Sequence, residues 1–123
     1  MDKAVVLAVA TTIREQLFGL TNKNVLWSWG LQGFCATLYM DMAALKFQVN
    51  GRLFQGYVLI CYNTLDQYEI YLSNQDGTRC ICDMAYFDTM GEIIDTAIES
   101  GTDKAEYKQF CLAEEAKLFS GQF

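Results

Sequence analysis

The stretch "ALKFQVNGRLFQGYVLICYN", residues 44–63, alternates apolar and polar residues up to an Asn-Gly pair and continues beyond it with β-branched and aromatic residues. Alternation with a period of two is typical of β-strands, and Asn-Gly favours the positive φ angles of a two-residue hairpin turn. We therefore predict an antiparallel hairpin that turns at Asn50–Gly51. The cross-strand pairs that follow from this turn are Val49 with Arg52, Phe47 with Phe54 and Lys46 with Gln55.

The sequence on both sides of this hairpin continues the pattern of short strands. "NTLD" (63–66) and "NQDG" (74–77) predict two more turns, and strand-like segments surround Trp27 and Leu38. We expect an antiparallel meander of five or six strands. Ahead of it, apolar residues at helical spacing predict a helix over residues 2–18 that Gly19 stops. The apolar stripe of that helix is Val6, Val9, Ala10, Ile13 and Leu17.

Helical spacing returns after the strands. We predict that Asp88 caps a helix over residues 89–100, which Ser100–Gly101 ends, and that Asp103 with Glu106 forms a capping box for a last helix over 104–119. The order predicts a single α+β domain over residues 1–123, with two C-terminal helices packed on the sheet. The residues expected to face inward from the last helix are Tyr107, Phe110, Cys111 and Leu118.

Composition limits the possible partners. The 123 residues are 52% apolar, enough for one domain with a continuous core. The net charge of −6 and the nine scattered basic residues argue against nucleic-acid binding. No stretch reaches bilayer length and no secretory signal is convincing, so we expect no membrane partner. Five cysteines without framework spacing indicate free thiols in the cytoplasm.

The residues for common catalytic chemistry are missing. The chain has no histidine, which removes the usual general base and the commonest zinc ligand. Cys80 and Cys82, expected on one strand face, are too few for zinc, so we predict no metal, no other cofactor and no enzymatic activity. The acids at helical spacing predict a solvated helix face rather than a metal site. They are Asp88, Glu92, Asp95 and Glu99.

Two tryptophans stand one residue apart in "VLWSW", residues 25–29. Alternation places Val25, Trp27 and Trp29 on one face of a strand, which we expect the helices to cover. A wall of the core is the favoured interpretation. The alternative is a ligand site at the mouth of the sheet, built from Trp27, Trp29 and Tyr62, in a small-molecule-binding protein or enzyme. The turn of residues 30–34 would form the rim of that site.

The middle strand is apolar on both faces. Tyr57, Leu59 and Cys61 alternate with Val58 and Ile60, a pattern typical of a strand covered on both sides, or covered on one side and open to a partner on the other. The last helix or a second copy of the chain is the favoured cover. Otherwise a partner protein binds there. The candidate partner-binding residues are Tyr57, Leu59, Cys61 and Tyr71.

Three runs, "GLQGF" (30–34), "YVLICYNTLDQYEIYL" (57–72) and "AYFDTMGEII" (85–94), occur in an order that resembles small proteins of bacterial phages and integrated mobile elements. Lysine is frequent in those proteins at the position of Gln32, and the last helix is an addition of this chain. The likeness covers roughly residues 10–98. The matching residues are Gln16, Leu17, Gly30, Phe34, Tyr57, Val58, Ile60, Asp66, Tyr68, Glu69, Ile70, Tyr86, Asp88 and Met90.

The resemblance implies a phage or mobile-element origin and brings no activity with it. Together with the missing catalytic groups, it predicts an accessory protein that acts by non-catalytic protein binding, for example by inhibiting a host defence system. The small-molecule site described above is one alternative. A homo-oligomeric structural component is another.

Overall fold

The structure is a computed structural model, and it describes residues 2–101 and 104–119. Five antiparallel strands follow one another in the order β1-β2-β3-β4-β5, which confirms the predicted α+β class and meander. The strands are β1 (Gln32–Tyr39), β2 (Met42–Asn50), β3 (Gln55–Tyr62), β4 (Tyr68–Asn74) and β5 (Gly77–Ala85). The helices are α1 (Lys3–Leu20), α2 (Lys23–Ser28), α3 (Met90–Asp95), which continues as a π-helical turn (Thr96–Ser100), and α4 (Lys104–Phe119).

The first helix follows the predicted apolar stripe. The Asp2 carboxylate accepts a hydrogen bond from the backbone N–H of Ala4 and caps the helix. The predicted stop at Gly19 is wrong, because the helix includes Gly19 and ends at Leu20. One glycine costs a helix only about 1 kcal/mol, and packing of the stripe outweighs it. The buried residues of the stripe are Val6, Ala10, Ile13 and Leu17.

The core lies between the helices and one face of the sheet, here called the inner face. Helix α1 packs over β1 and β2, and α3 packs over β4 and β5. Each fully buried aliphatic or aromatic side chain contributes about 1.5–3 kcal/mol to folding, so this layer dominates stability. Its fully buried members from the strands include Phe47, Val49, Val58, Ile60, Ile70 and Leu72.

The predicted register of the β2–β3 hairpin is wrong. Asn50 pairs with Gln55 and Phe47 with Val58, so four residues, 51–54, form the connecting loop. The loop packs on the π-helical turn, where the backbone N–H of Leu53 donates to the carbonyl oxygen of Ile98 at 2.7 Å. This long-range contact overrides the local preference of Asn-Gly for a tight turn.

The segment with the two tryptophans is helical, so the predicted strand around Trp27 is wrong. The side chain of Asn22 accepts from the backbone N–H of Asn24 and caps α2. Residues two apart on a helix point to different sides, since each residue turns the chain by about 100°. Trp27 is accordingly 88% exposed, whereas Trp29 is fully buried.

The C-terminal elements agree in part with the sequence. Helix α3 begins at Met90 after Thr89, and Asp88, the predicted cap, is exposed and lies outside it. Gly101 ends the π-helical turn with a φ of 71°. Asp103, predicted to form a capping box with Glu106, lies outside the described residues, as do the side chains of Phe110 and Leu118. Cys111, predicted to face inward, is exposed, and Tyr107 is half-buried.

The predicted solvated acidic face is also wrong in part. Asp88 and Glu92 are exposed, but Glu99 is buried at 6% exposure. The Glu99 carboxylate accepts hydrogen bonds from the backbone N–H of Arg52 at 2.6 Å and from the Tyr107 hydroxyl at 3.3 Å. These donors replace water around the charge, which makes its burial tolerable.

Candidate functional site

The sheet face opposite the helices, here called the outer face, carries the four predicted partner-binding residues. Tyr57 is 40% exposed and Tyr71 is half-buried, but Leu59 and Cys61 are buried. Leu59 and Cys61 form a small cluster with Ala44, against which Tyr39, Met42 and Tyr71 pack. The structure therefore places these residues together and leaves mainly the tyrosines accessible.

Two polar groups of the outer face, those of Tyr71 and Glu69, hydrogen-bond to each other. The Tyr71 hydroxyl donates to Oε1 of Glu69 at 2.7 Å, which raises the pKa of Tyr71. Burial, and secondarily the Glu69 charge, raise the pKa of the Cys61 thiol to about 12. A thiol with that pKa is neutral at physiological pH and is therefore a poor nucleophile and a poor metal ligand.

The Cys80–Cys82 pair does not share one face. Cys80 pairs with Tyr71, whereas Cys82 pairs with Ile70 and packs against the inner-face core, because the β4–β5 ladder is irregular between these two pairs. All five cysteines are free thiols. Among the side chains that the structure describes, no three of the metal-ligating types come together in a group that could hold a metal ion.

A surface cavity lies between the end of α1 and the turn that follows α2. It is a groove of about 450 Å³, within the range of ligand and peptide sites. We call it the α1–α2 groove. Its lining residues are Phe18, Lys23, Leu26, Trp27, Gly30 and Leu31.

Local geometry explains the shape of the α1–α2 groove. Gly30 adopts a φ of 62°, which L-residues rarely take, and its backbone turns the chain from α2 towards β1. Phe18 stands edge-on to Phe34, with ring centroids 5.3 Å apart. The Arg14 guanidinium lies 5.8 Å from the centroids of both rings. These contacts hold the Phe18 side of the groove in place.

The charge at the α1–α2 groove is opposite in sign to that of the chain. Lys23 is the one charged residue among the six that line it, and Arg14 stands beside Phe18. Both cations are exposed. The whole chain carries a net charge of −6. The groove is thus an apolar, locally cationic site on an acidic protein.

The predicted ligand site at the mouth of the sheet does not form. Trp29 is buried and its indole N–H donates to the Asp95 carboxylate. Tyr62 lines a different, smaller cavity, where its hydroxyl donates to Oδ1 of Asp66 at 2.5 Å. Of the three predicted residues, Trp27 is the one that lines the α1–α2 groove.

Sequence reasoning did not identify Phe18, Lys23 and Leu26 as site residues. A signal for Phe18 exists, because it is a large apolar residue outside the buried stripe of α1. Asn22 is of a residue type favoured at helix N-caps and is therefore a sequence signal for the start of α2. A helix at this position places the side chains of Trp27 and Trp29 on different sides.

Among the described residues, no helix is long and apolar enough to cross a membrane. In comparisons with known proteins, the chain matches no family model, no curated protein and no solved structure. A functional proposal therefore rests on the geometry of the chain itself.

Proposed function

We propose that this chain is a non-catalytic protein-binding domain whose partner docks in the α1–α2 groove. The observation that carries the proposal is the contrast between two neighbouring indoles. Trp29 is fully buried, whereas Trp27 is 88% exposed at a groove lined mostly by apolar side chains.

The exposed apolar surface around Trp27 supports a binding role. Phe18, which lines the same groove, is 37% exposed, and Leu31 is half-buried. Contiguous apolar surface of this kind is a feature of interaction sites, and tryptophan is among the residues that most often dominate binding energy at protein interfaces. Binding of the partner would cover the Trp27 indole and bury apolar surface that is exposed in the free protein.

The chemistry of the groove supports binding without catalysis. Its six lining residues include no carboxylate, hydroxyl or thiol. Proton transfer and nucleophilic attack most often use such groups in positioned pairs, and Lys23 is the one ionisable residue of this lining. The Lys23 ammonium can attract a charge or donate a hydrogen bond, and both actions serve recognition.

The resemblance also predicts a phage or mobile-element origin and the inhibition of a host system. Both stay predictions. A cytoplasmic location also stays a prediction, supported by the five free thiols, since oxidising compartments favour disulfides. The proposal itself needs neither.

Site-specific photo-crosslinking in the cells that make the protein tests the proposal. A photoreactive phenylalanine analogue replaces Lys23 at the groove, Tyr57 on the outer face, or Leu65, a 74% exposed residue of the β3–β4 loop, as the control. We expect a discrete protein adduct from position 23 that disappears in the Trp27→Ala background. Adducts from position 57 alone would move the binding surface to the outer face, and no adduct dependent on Trp27 would refute the proposal.

A further inference from the structure

We infer that the partner presents to the α1–α2 groove a short acidic segment with one bulky apolar anchor residue. This inference rests on the proposed function and specifies the chemistry of its partner. The anchor occupies the apolar part of the groove beside Trp27 and Leu31, and carboxylates next to it face Lys23 and Arg14.

The size and lining of the groove indicate one large anchor residue. A volume of about 450 Å³ is at the lower end of binding-site cavities, so it suits one or two side chains rather than a whole helix face. The lining offers the Trp27 indole, the Phe18 ring and the aliphatic chains of Leu26 and Leu31. Burial of an aromatic or long aliphatic anchor against these groups supplies the apolar part of the binding energy.

The positions of Lys23 and Arg14 indicate the charge of the partner residues that flank the anchor. Lys23 lines the groove and Arg14 stacks beside Phe18, and neither forms an ion pair with a described residue. The net charge of −6 repels an acidic partner at long range. Screening at physiological salt limits that repulsion to about 8 Å. For carboxylates bound at the groove, the attraction to the two nearby cations is therefore stronger than the repulsion by more distant acidic residues.

Other polyanions fit these observations less well. Nucleic-acid backbones require a track of several lysines and arginines, whereas this groove has Lys23 alone in its lining and Arg14 beside Phe18, on an acidic chain. Membrane-surface helices require a strongly basic polar face. Helix α1 carries Glu15 next to Arg14 and lacks such a face.

Selection from a displayed library of random peptides tests the inference with the full-length protein as bait. We expect enriched peptides to combine a tryptophan, phenylalanine or leucine with aspartate or glutamate within two or three positions. Trp27→Ala should weaken their binding about thirtyfold or more, as truncation of a central aromatic anchor does. Lys23→Glu and Arg14→Glu should each weaken it about fivefold, the upper range for an exposed ion pair.

The control is Arg79→Glu, which reverses an exposed charge on the far edge strand β5 and should leave binding unchanged. Peptides that need Trp27 but bind the Lys23→Glu and Arg14→Glu variants undiminished would overturn the inference and leave the proposed function intact. Enrichment of basic peptides at the groove would do the same. If no selected peptide depends on Trp27, both the inference and the proposed function fail.

Discussion

The indole N–H of Trp29 donates a hydrogen bond to Oδ1 of Asp95 at 2.9 Å, across 66 positions of the sequence. Trp29 follows α2, and Asp95 is the last residue of α3, so this bond joins the end of α2 to the end of α3. The backbone carbonyl of Trp29 also accepts from the N–H of Asn50 at 2.7 Å. One residue therefore links α2, α3 and the end of β2, and it holds the segment that presents Trp27.

Removal of the Asp95 acceptor should destabilise the fold. Asp95→Ala leaves the buried Trp29 N–H without a partner, and we expect a loss of about 1–3 kcal/mol in the free energy of unfolding. Asp95→Asn is the matched control, because its amide oxygen can still accept, and we expect it to cost less than about 1 kcal/mol. Urea unfolding measures both. Equal losses for the two variants would show that the hydrogen bond contributes nothing.

Two glycine substitutions should change stability in opposite directions. A Cβ at Gly51 would lie 2.3 Å from the carbonyl oxygen of Ile98, so Gly51→Ala must displace the β2–β3 loop and should cost about 1–3 kcal/mol. Gly19 is helical, and a methyl group added there would have no neighbour within 4 Å, so Gly19→Ala should stabilise by about 0.5–1 kcal/mol. Thermal unfolding measures both variants. A neutral Gly51→Ala would contradict the close contact with the π-helical turn.

Cysteine labelling should separate the buried thiol from the exposed ones. Cys61 is fully buried and its pKa is raised to about 12, so iodoacetamide at pH 8 should leave it unmodified in the folded protein. The exposed Cys35 and Cys111 should react under the same conditions. Peptide mass spectrometry after labelling, with a urea-unfolded control, gives the extent at each site. Modification of Cys61 as fast as that of Cys35 would contradict the closed outer-face cluster.

The raised pKa of the Cys61 thiol also predicts how stability changes with pH. The unfolded thiol ionises near its ordinary pKa of 9.0, whereas the folded thiol keeps its proton up to about pH 12. The unfolded state therefore loses this proton first, and stability should fall as pH rises through that window. Cys61→Ala removes this contribution, so its loss of stability between pH 9 and 11 should be smaller than that of the parent. Parallel curves would show that the thiol titrates alike in both states.

Fluorescence should distinguish the two tryptophans. Trp29→Phe leaves Trp27 as the single indole, and we expect strong quenching by acrylamide because it is 88% exposed. Trp27→Phe leaves the buried Trp29, whose emission should resist quenching. Similar quenching constants for the two variants would contradict the helical geometry of α2.

The sequence predicted those elements that depend on residues close together in the chain. The α1 stripe, the number of strands and the turns after β3 and β4 follow from periodicity and turn residues. The β2–β3 register did not, because contacts of Gly51 and Leu53 with Ile98 determine the loop, and Ile98 lies more than 40 positions away. Glu99 appeared solvated from its spacing alone, and only the fold brings Arg52 and Tyr107 to its carboxylate.

The candidate site was predictable in part, from Trp27 and from the turn of residues 30–34. The sequence singled out Trp27 but assigned it to a strand, since five residues of "VLWSW" are too few to tell alternation from a short helix. The rest of the α1–α2 groove combines the end of α1 with the turn before β1, so Phe18 and Leu31 meet through tertiary packing. Apolar alternation on β3 correctly indicated a second apolar face, but it could not show that Tyr39 and Tyr71 cover part of that face.

The most direct test of the binding surface is the affinity of the crosslinked partner, once purified, for the Trp27→Ala and Tyr57→Ala variants, measured by calorimetry. Both residues are exposed aromatics, and they belong to the α1–α2 groove and to the outer face, respectively. We predict that Trp27→Ala weakens binding by about 2 kcal/mol or more, roughly thirtyfold, and that Tyr57→Ala changes it less than about twofold. The reverse pattern, with Trp27→Ala neutral and Tyr57→Ala impaired, would contradict the assignment of the groove as the binding site.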